Sequence, residues 1–222
     1  MGWVSRNTCS LGPRIVSQVS YSTTFPNTEI VISEGGKWEN TVSATWNNPI
    51  STVGGSPGHA VGLGSSGVND SVARLVGTYL RDQTVTATVF RNGSVGSAEI
   101  EVLLRVTMIP GGTDQILCYE MDIVPASNVV GVVKWLGNQG NVTSLVDWTG
   151  LPTLVDGDVF VFSCIGGAGN TVLSGTLNGV SLGTPFTDTS GYTTGNPGMG
   201  MDAGNPVDGA NFGWKSYSAV TS

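Results

Sequence analysis

The stretch from Asp156 to Val220 constrains the fold most, because it consists of short β-type runs separated by tight turns. In the run from Val159 to Cys164, bulky residues occupy both alternating faces, which predicts a strand that is covered on both sides. Asn178-Gly179 lies between two β-rich runs and predicts a type I′ hairpin, since that turn needs positive φ at both central positions. A final strand carries three aromatic residues, Phe212, Trp214 and Tyr217.

The rest of the chain repeats this alternation of β-type runs and turns. Gly195 to Gly198 is predicted to be a turn, followed by a strand in which Met199 and Met201 share one face. Arg91 to Ser94 is predicted to be a hairpin tip, and Glu29 to Ser33 a strand. Further strands are predicted over residues 72–76, 84–90, 98–109, 116–124, 128–136 and 142–148. No window shows sustained helical periodicity, so the sequence predicts an all-β, antiparallel two-sheet sandwich.

Length and composition favour one domain. At 222 residues with 33 glycines and 11% charged residues, the chain is typical of many short strands joined by tight turns. Residues 23–222 are predicted to form a single sandwich. Residues 1–22 are predicted to be either its first strand or an arm that contacts a neighbouring subunit, because Gly12-Pro13 interrupts the β-type pattern there.

Charge narrows the classes of partner. The formal net charge of −7 and the absence of any basic block argue against nucleic acid and against an anionic membrane surface. Neither an apolar run at the start of the sequence nor a stretch of about 18 apolar residues is present, so neither a secretory signal nor a transmembrane helix is expected. Together with Met1-Gly2, this favours synthesis and assembly in a cytoplasm over removal of a signal.

Three cysteines, Cys9, Cys118 and Cys164, are odd in number and widely spaced. This spacing supports neither a disulfide framework nor a structural zinc site. They are expected to be small buried residues, with Cys164 in the middle of a strand.

The C-terminal pattern resembles the concanavalin A-like jelly-roll superfamily, which includes laminin G-like modules, legume lectins and family 16 glucanases. A strand that follows Gly157-Asp158, the Asn-Gly hairpin, Pro197-Gly198-Met199-Gly200 and the aromatic last strand carry this resemblance. Residues 73–78 and 82–89 are similar to a segment near the middle of many such domains. The resemblance implies the fold and says little about chemistry, since one fold hosts many functions.

The glucanases of this superfamily use a carboxylate pair from a Glu-x-Asp-x-x-Glu strand. Two stretches are similar to it, and their weak catalytic candidates are Glu99, Glu101, Glu120 and Asp122. Leu104 and Pro125 stand where the acid/base residue belongs, so the proton donor is missing from both. Paired same-face carboxylates on a strand are expected instead to face solvent.

A polysaccharide lyase on this fold would need a base near tyrosine and arginine side chains. The single histidine, His59, would have to meet side chains from distant segments, namely Tyr79, Arg81, Arg105 and Tyr119. Nothing in their spacing requires them to converge, and an acidic protein is a poor host for an anionic polymer.

Calcium is the cation that the resemblance implies, because jelly rolls of this superfamily hold it at a rim through Asp, Asn and carbonyl oxygens. Asp202, Asn205 and Asp208 occupy one glycine-rich loop and are the candidate ligands, with Asn69-Asp70 as a weaker pair. The alternative is ordinary Asx-turn hydrogen bonding.

Carbohydrate binding without catalysis would require aromatic platforms. The candidates are Trp135, Trp148 and Tyr192, with Trp46 in addition. The alternative for each is a place in the core, where most sandwich tryptophans lie.

The sequence therefore predicts a non-enzymatic structural or adhesive protein, such as a phage capsid decoration or fibre on the virion surface. Its expected partners are other virion subunits or copies of itself, and glycans. The alternatives are a carbohydrate-binding module, or an extracellular polysaccharide-degrading enzyme (glucanase or lyase), on the same fold.

Overall fold

A computed structural model describes residues 18–41, 48–63, 70–109 and 115–222, with only the backbone of Pro206. The candidate platform Trp46 lies outside these residues, as do Cys9 and Asn69. The strands are β1 Val19–Thr23, β2 Trp38–Asn40, β3 Ile50–Val53, β4 His59–Gly62, β5 Asp70–Leu75, β6 Gln83–Arg91, β7 Glu99–Ile109, β8 Gln115–Val124, β9 Val129–Gly137, β10 Val142–Thr149, β11 Val159–Gly167, β12 Asn170–Leu177, β13 Val180–Ser181, β14 Phe186–Asp188, β15 Asn196–Asp202 and β16 Phe212–Thr221. A short helix, α1, spans Pro206–Asn211.

Within the described residues the strands form two antiparallel sheets, which confirms the predicted β-sandwich. Sheet A follows the order β13-β12-β11-β6-β16-β4-β3, with β1 also on β16 and β14 also on β12. Sheet B follows the order β10-β9-β8-β7-β15-β5-β2. Among the described residues no helix is long and apolar enough to cross a membrane.

Local turn chemistry predicted several pairings correctly. Asn178 and Gly179 have φ of 51° and 79°, and the strands that they join pair across Leu177 and Val180. The consecutive strands β7 and β8 are paired, as are β9 and β10. Thr221 pairs with Val19, so residues 19–23 form a strand of sheet A.

Three local predictions are wrong. Arg91 to Ser94 is not a hairpin tip, because β6 belongs to sheet A and β7 to sheet B, so this turn carries the chain between sheets. Glu29 to Ser33 makes only an isolated bridge, from Glu29 to Thr52. The predicted turn at Gly195 to Gly198 bends only at Gly195, and β15 has already begun at Asn196.

The main core lies between the sheets. Met199 and Met201 are both buried in it, as predicted from their shared face. Cys118 and Cys164 are buried free thiols, which agrees with the expectation for both. A smaller apolar cluster lies on the opposite side of sheet B, here called its outer face; it contains Val72, Leu103, Val106, Ile116, Cys118 and Trp135.

Candidate functional site

Strand register gathers the acidic residues of five strands on the outer face of sheet B. Asp70 of β5 pairs with Asp202 of β15, which pairs in turn with Glu99 of β7. One step along the strands, Glu101 of β7 pairs with Asp122 of β8, whose other neighbour Gly131 pairs with Asp147. Side chains two apart on a strand share a face, so Glu120 belongs to the same group. We call Asp70, Glu99, Glu101, Glu120, Asp122, Asp147 and Asp202 the carboxylate cluster.

The centre of the carboxylate cluster is buried, contrary to the expectation that these pairs face solvent. Glu101 is 2% exposed and Glu120 is 6% exposed. Trp135 lies beside them and donates its indole N–H to Glu120. The apolar cluster on the same face supplies the cover that the sequence pattern did not reveal.

Burial and mutual repulsion hold protons on this cluster. Burial, then the charges of Asp122 and Glu120, raises the pKa of Glu99 to about 9. Burial, then the charge of Asp122, raises the pKa of Glu120 to about 8. Burial, then the charge of Glu120, raises the pKa of Glu101 well above its ordinary value. Burial raises the pKa of Asp122 to about 6, although a hydrogen bond with Glu99 opposes this.

The four weak catalytic candidates therefore meet as two hydrogen-bonded pairs. Glu99 bonds to Asp122, and Glu101 bonds to Glu120. Hydrolases that use two carboxylates keep them apart, at roughly 5–10 Å, so that the scissile bond or a water fits between them. Carboxyl groups in direct contact leave no such space within either of these cross-strand pairs, and each pair is suited to sharing a proton or binding a cation.

In the loop with the candidate metal ligands, the side chains bond to neighbouring groups of the protein. Asn205 is the N-cap of α1, and its Oδ1 accepts the N–H groups of Val207 and Asp208 at 3.0 and 3.1 Å. Its Nδ2 donates to Asp208. Asp202 points instead into the carboxylate cluster, where its Oδ1 also accepts the Gly204 N–H at 2.7 Å. The contacts of Asn205 and Asp208 are those of the Asx-turn alternative, while calcium binding by the three residues stays a prediction.

The candidate aromatic platforms pack against other residues of the fold. Trp135 is 5% exposed and Trp148 is 4% exposed, so little of either ring reaches solvent. The Tyr192 hydroxyl donates to the Trp135 carbonyl at 2.5 Å, and Lys134 Nζ lies 4.6 Å from the centre of the Tyr192 ring. Trp148 also lines a separate cavity of about 350 Å³ with Leu177 and Leu182.

The lyase candidates are divided between the two ends of β6. His59 stacks on Phe90 at 3.7 Å, near one end of that strand. At the other end, Gln83 accepts the Arg105 N–H at 2.9 Å. Arg105 donates to the Tyr192 carbonyl, and the Tyr119 hydroxyl accepts the Tyr192 N–H at 3.0 Å. The histidine therefore lies far along the strand from Arg105.

A polar groove crosses the edge of sheet A, where sequence reasoning placed no site. Its volume is about 630 Å³, and its lining consists of Tyr21, Ser22, Thr23, Thr24, Pro26, Asn27, Glu34, Lys37, Thr86, Ser216, Tyr217 and Ser218. Most of these side chains carry hydroxyl groups. We call this feature the hydroxyl groove.

Glu34 is the fixed polar centre of the hydroxyl groove. Its carboxylate accepts the hydroxyls of Tyr21 and Thr23 and, at 3.1 Å, the indole N–H of Trp38. Its φ of 44° is unusual for a residue with a side chain, and such conformations concentrate at ligand-binding sites. The Glu34-Gly35-Gly36-Lys37 turn was visible in the sequence, but its contact with β1 depends on the fold.

Comparisons with known proteins support the fold. No family model and no curated protein matches the sequence. Among solved structures, a Bacillus subtilis protein of unknown function with a galectin-like fold aligns with a TM-score of 0.58 and 11% identity, over 90% of this chain and 96% of that chain. The VIP36 exoplasmic/lumenal domain, in its Ca²⁺/Man2-bound form, aligns with a TM-score of 0.55 and 14% identity, over 90% and 87% of the two chains.

A third similar structure comes from a bacteriophage. The CBM2 module of the evolved Dit of Lactobacillus casei BL23 phage J-1 aligns with a TM-score of 0.52 and 12% identity, over 92% of this chain and 97% of that chain. At such low identity these similarities show the fold alone. This chain therefore has the jelly-roll β-sandwich that lectin-like and carbohydrate-binding modules use.

Proposed function

We propose that this protein is a non-enzymatic, adhesive glycan-binding module and that the hydroxyl groove holds a segment of neutral sugar. The observation that carries the proposal is the groove itself, a space of about 630 Å³ lined mainly by hydroxyls around a fixed carboxylate. Ligand sites usually occupy about 300–1,000 Å³ and use a few placed polar groups for orientation.

The chemistry of the lining favours a sugar over other small ligands. Ser22, Thr24 and Asn27 are exposed, and their side chains offer both donors and acceptors, as sugar hydroxyls require. Tyr21 and Pro26 add apolar surface for the sugar's C–H groups. Glu34 and Lys37 contribute one charge of each sign, which suits a neutral ligand.

The carboxylate cluster supports the non-enzymatic part of the proposal. Glu99 hydrogen-bonds to Asp122, and Glu101 to Glu120, which leaves no gap for a glycosidic bond within either pair. The protein as a whole carries a net charge of −7, which disfavours acidic polysaccharides as ligands.

Binding of neutral oligosaccharides on a glycan array, followed by calorimetry with the best ligand, tests the proposal. The double variant Thr24→Ala/Asn27→Ala is expected to lose at least about tenfold in affinity, since each truncated side chain leaves sugar hydroxyls unpaired. Thr143→Ala, an exposed β-strand threonine of sheet B, is the matched control and should bind as the wild type does. Binding that survives the double variant but is lost in Trp148→Phe would place the sugar in the other cavity and refute the groove as the site.

We further propose a location on the surface of a phage particle, with other virion subunits or copies of this chain as partners. The similarity to a module of a phage Dit supports this location, and an adhesive sandwich suits it. Immunogold electron microscopy of particles from a producing host would test it. Labelled particles are the expected result, whereas antigen found only in the medium would favour the extracellular alternative.

A further inference from the structure

Three acidic residues lie side by side on adjacent strands of sheet B. Asp70, Asp202 and Glu99 are in direct register on β5, β15 and β7, where neighbouring strands run about 4.8 Å apart. One carboxylate oxygen from each lies within 4.8 Å of the other two. Like charges placed directly across a sheet destabilise it, so this row costs free energy unless protons or a bound cation neutralise it.

A fourth carboxylate lies next to this row, over Gly200, which is two residues before Asp202 on β15. Glu101 is only 2% exposed, and its Oε2 has no hydrogen-bond partner among the described residues. Its electrostatic neighbours include Asp70 and Glu99 of the row. A buried acceptor without a donor is costly, and in native structures it calls for an explanation such as an ion.

We propose that Asp70, Glu99 and Asp202 bind one Ca²⁺ ion on the outer face of sheet B, with Glu101 on the buried side of the site. Calcium takes six to eight oxygen ligands at about 2.4 Å, so any two of its ligands lie within about 4.8 Å of each other, as the three oxygens of the row do. Magnesium keeps several of its waters and is usually bound by one or two carboxylates, so a row of three carboxylates favours calcium.

Neighbouring groups hold two of the proposed ligands in orientation. Gln139 Nε2 donates to Asp70 Oδ2 at 3.1 Å, and the Gly204 N–H donates to Asp202 Oδ1 at 2.7 Å. Such outer contacts fix the direction of metal-binding side chains. The site therefore differs from the α1 loop, where the Asn205 side chain bonds to Asp208 and to two backbone N–H groups.

The test is a calcium titration of chelator-treated full chain by calorimetry at neutral pH, with thermal unfolding in parallel. One ion per chain is expected, with a raised Tm in calcium because the folded state alone holds the site. Asp202→Asn and Glu99→Gln should each weaken calcium binding by at least about tenfold. Asp208→Asn, from the same loop region as Asp202, is the matched control and should keep its affinity within about twofold.

Each outcome supports or overturns the proposal. Wild-type protein that binds no calcium overturns it, as does equal affinity for magnesium, which would contradict the preference of a three-carboxylate site for calcium. Loss of binding in Asp208→Asn would assign the ion to the α1 loop and overturn the site on the sheet. If Asp202→Asn failed to fold, Glu99→Gln would decide the matter, since the amide keeps the side-chain volume.

Discussion

The side chain of Glu101 lies directly over the backbone of Gly200 on the neighbouring strand. A Cβ atom added to Gly200 would be only 1.9 Å from Glu101 Oε2 and 2.8 Å from its Cδ. Gly200 therefore provides the space in which a buried acidic side chain lies on the face of the sheet. The carboxylate cluster therefore requires a glycine at position 200, because a side chain there would displace Glu101.

Gly200→Ala is expected to destabilise the fold by about 1–3 kcal/mol, because Glu101 must leave a position in which it is buried. Urea unfolding would measure the loss. Gly131→Ala is the matched control on the same face, where the added Cβ would meet Asp147 Oδ1 no closer than 3.7 Å. That variant should be neutral or slightly stabilising, because alanine restricts the unfolded chain. Equal losses in the two variants would contradict the packing of Glu101 on Gly200.

The sequence predicts those parts of the fold that local chemistry decides. Asn178-Gly179 specifies its own turn through two positive φ angles, so the hairpin could be recognised without any knowledge of the sheets. The turn around Gly93 has similar composition, yet it joins β6 in one sheet to β7 in the other. Its residues do not encode that difference, which depends on packing between layers.

The sequence predicts only the same-strand pairs of the carboxylate cluster. Glu99 and Glu101 share a face by alternation alone, and so do Glu120 and Asp122. Asp70 and Asp202 join them through long-range register, which one sequence does not reveal. The expectation of solvent exposure was wrong because Trp135, from another strand, packs beside Glu120.

A second prediction concerns the buried pair of Lys134 and Asp188, whose charged atoms are 2.8 Å apart. Burial opposes ionisation of Asp188, but hydrogen bonds from Lys134, the Ser190 N–H and Tyr119 outweigh it and lower its pKa to about 2. A lowered pKa in the folded state stabilises the protein above the unfolded value of about 3.9, and this stability is lost as the pH falls toward 2. The expected loss is about 2 kcal/mol.

Urea unfolding at a series of pH values between about 5 and 2 would measure that loss. Asp188→Asn is the control. Its amide cannot titrate, so the part of the pH dependence of the unfolding free energy that comes from Asp188 should disappear. The variant should also be less stable near neutral pH, by about 3–5 kcal/mol, since it leaves the Lys134 ammonium buried without its counter-charge. If the unfolding free energy of Asp188→Asn fell as steeply with decreasing pH as that of the wild type, other carboxylates would account for the acid sensitivity.

A third prediction concerns the hairpin between β12 and β13. Asn178 does more than adopt positive φ, because its Oδ1 accepts the Val159 N–H at 2.9 Å and its Nδ2 donates to Asp158 at 2.9 Å. Asn178→Gly keeps the turn conformation and removes both bonds, so it should cost about 1–2 kcal/mol in unfolding free energy. Gly179→Ala should cost about 1–2 kcal/mol through backbone strain alone, since nothing lies within 4 Å of the added Cβ. A neutral Asn178→Gly would show that the side-chain bonds add nothing to the turn.

The last prediction concerns Arg105, a fully buried arginine with φ of 55° at the irregularity of β7. Its guanidinium donates to the carbonyls of Arg81 at 2.9 Å and Gly166 at 2.7 Å, and to the Thr171 hydroxyl at 3.2 Å. It therefore joins β7 of sheet B to segments of sheet A at one end of the sandwich. The free energy of unfolding should fall by about 3–5 kcal/mol in Arg105→Ala, because several buried acceptors lose their donor together.

Two further variants separate hydrogen bonding from packing at this position. Arg105→Met keeps most of the side-chain volume and removes every side-chain donor, so a loss close to that of Arg105→Ala would assign the stabilisation to the guanidinium hydrogen bonds. Arg81→Ala removes a neighbouring arginine whose side chain is 53% exposed in an ion pair with Asp82, and its cost should stay within about 0.5 kcal/mol. If Arg105→Met were as stable as Arg81→Ala, the carbonyls would not depend on the guanidinium, and the two sheets would be held at this end by apolar contacts.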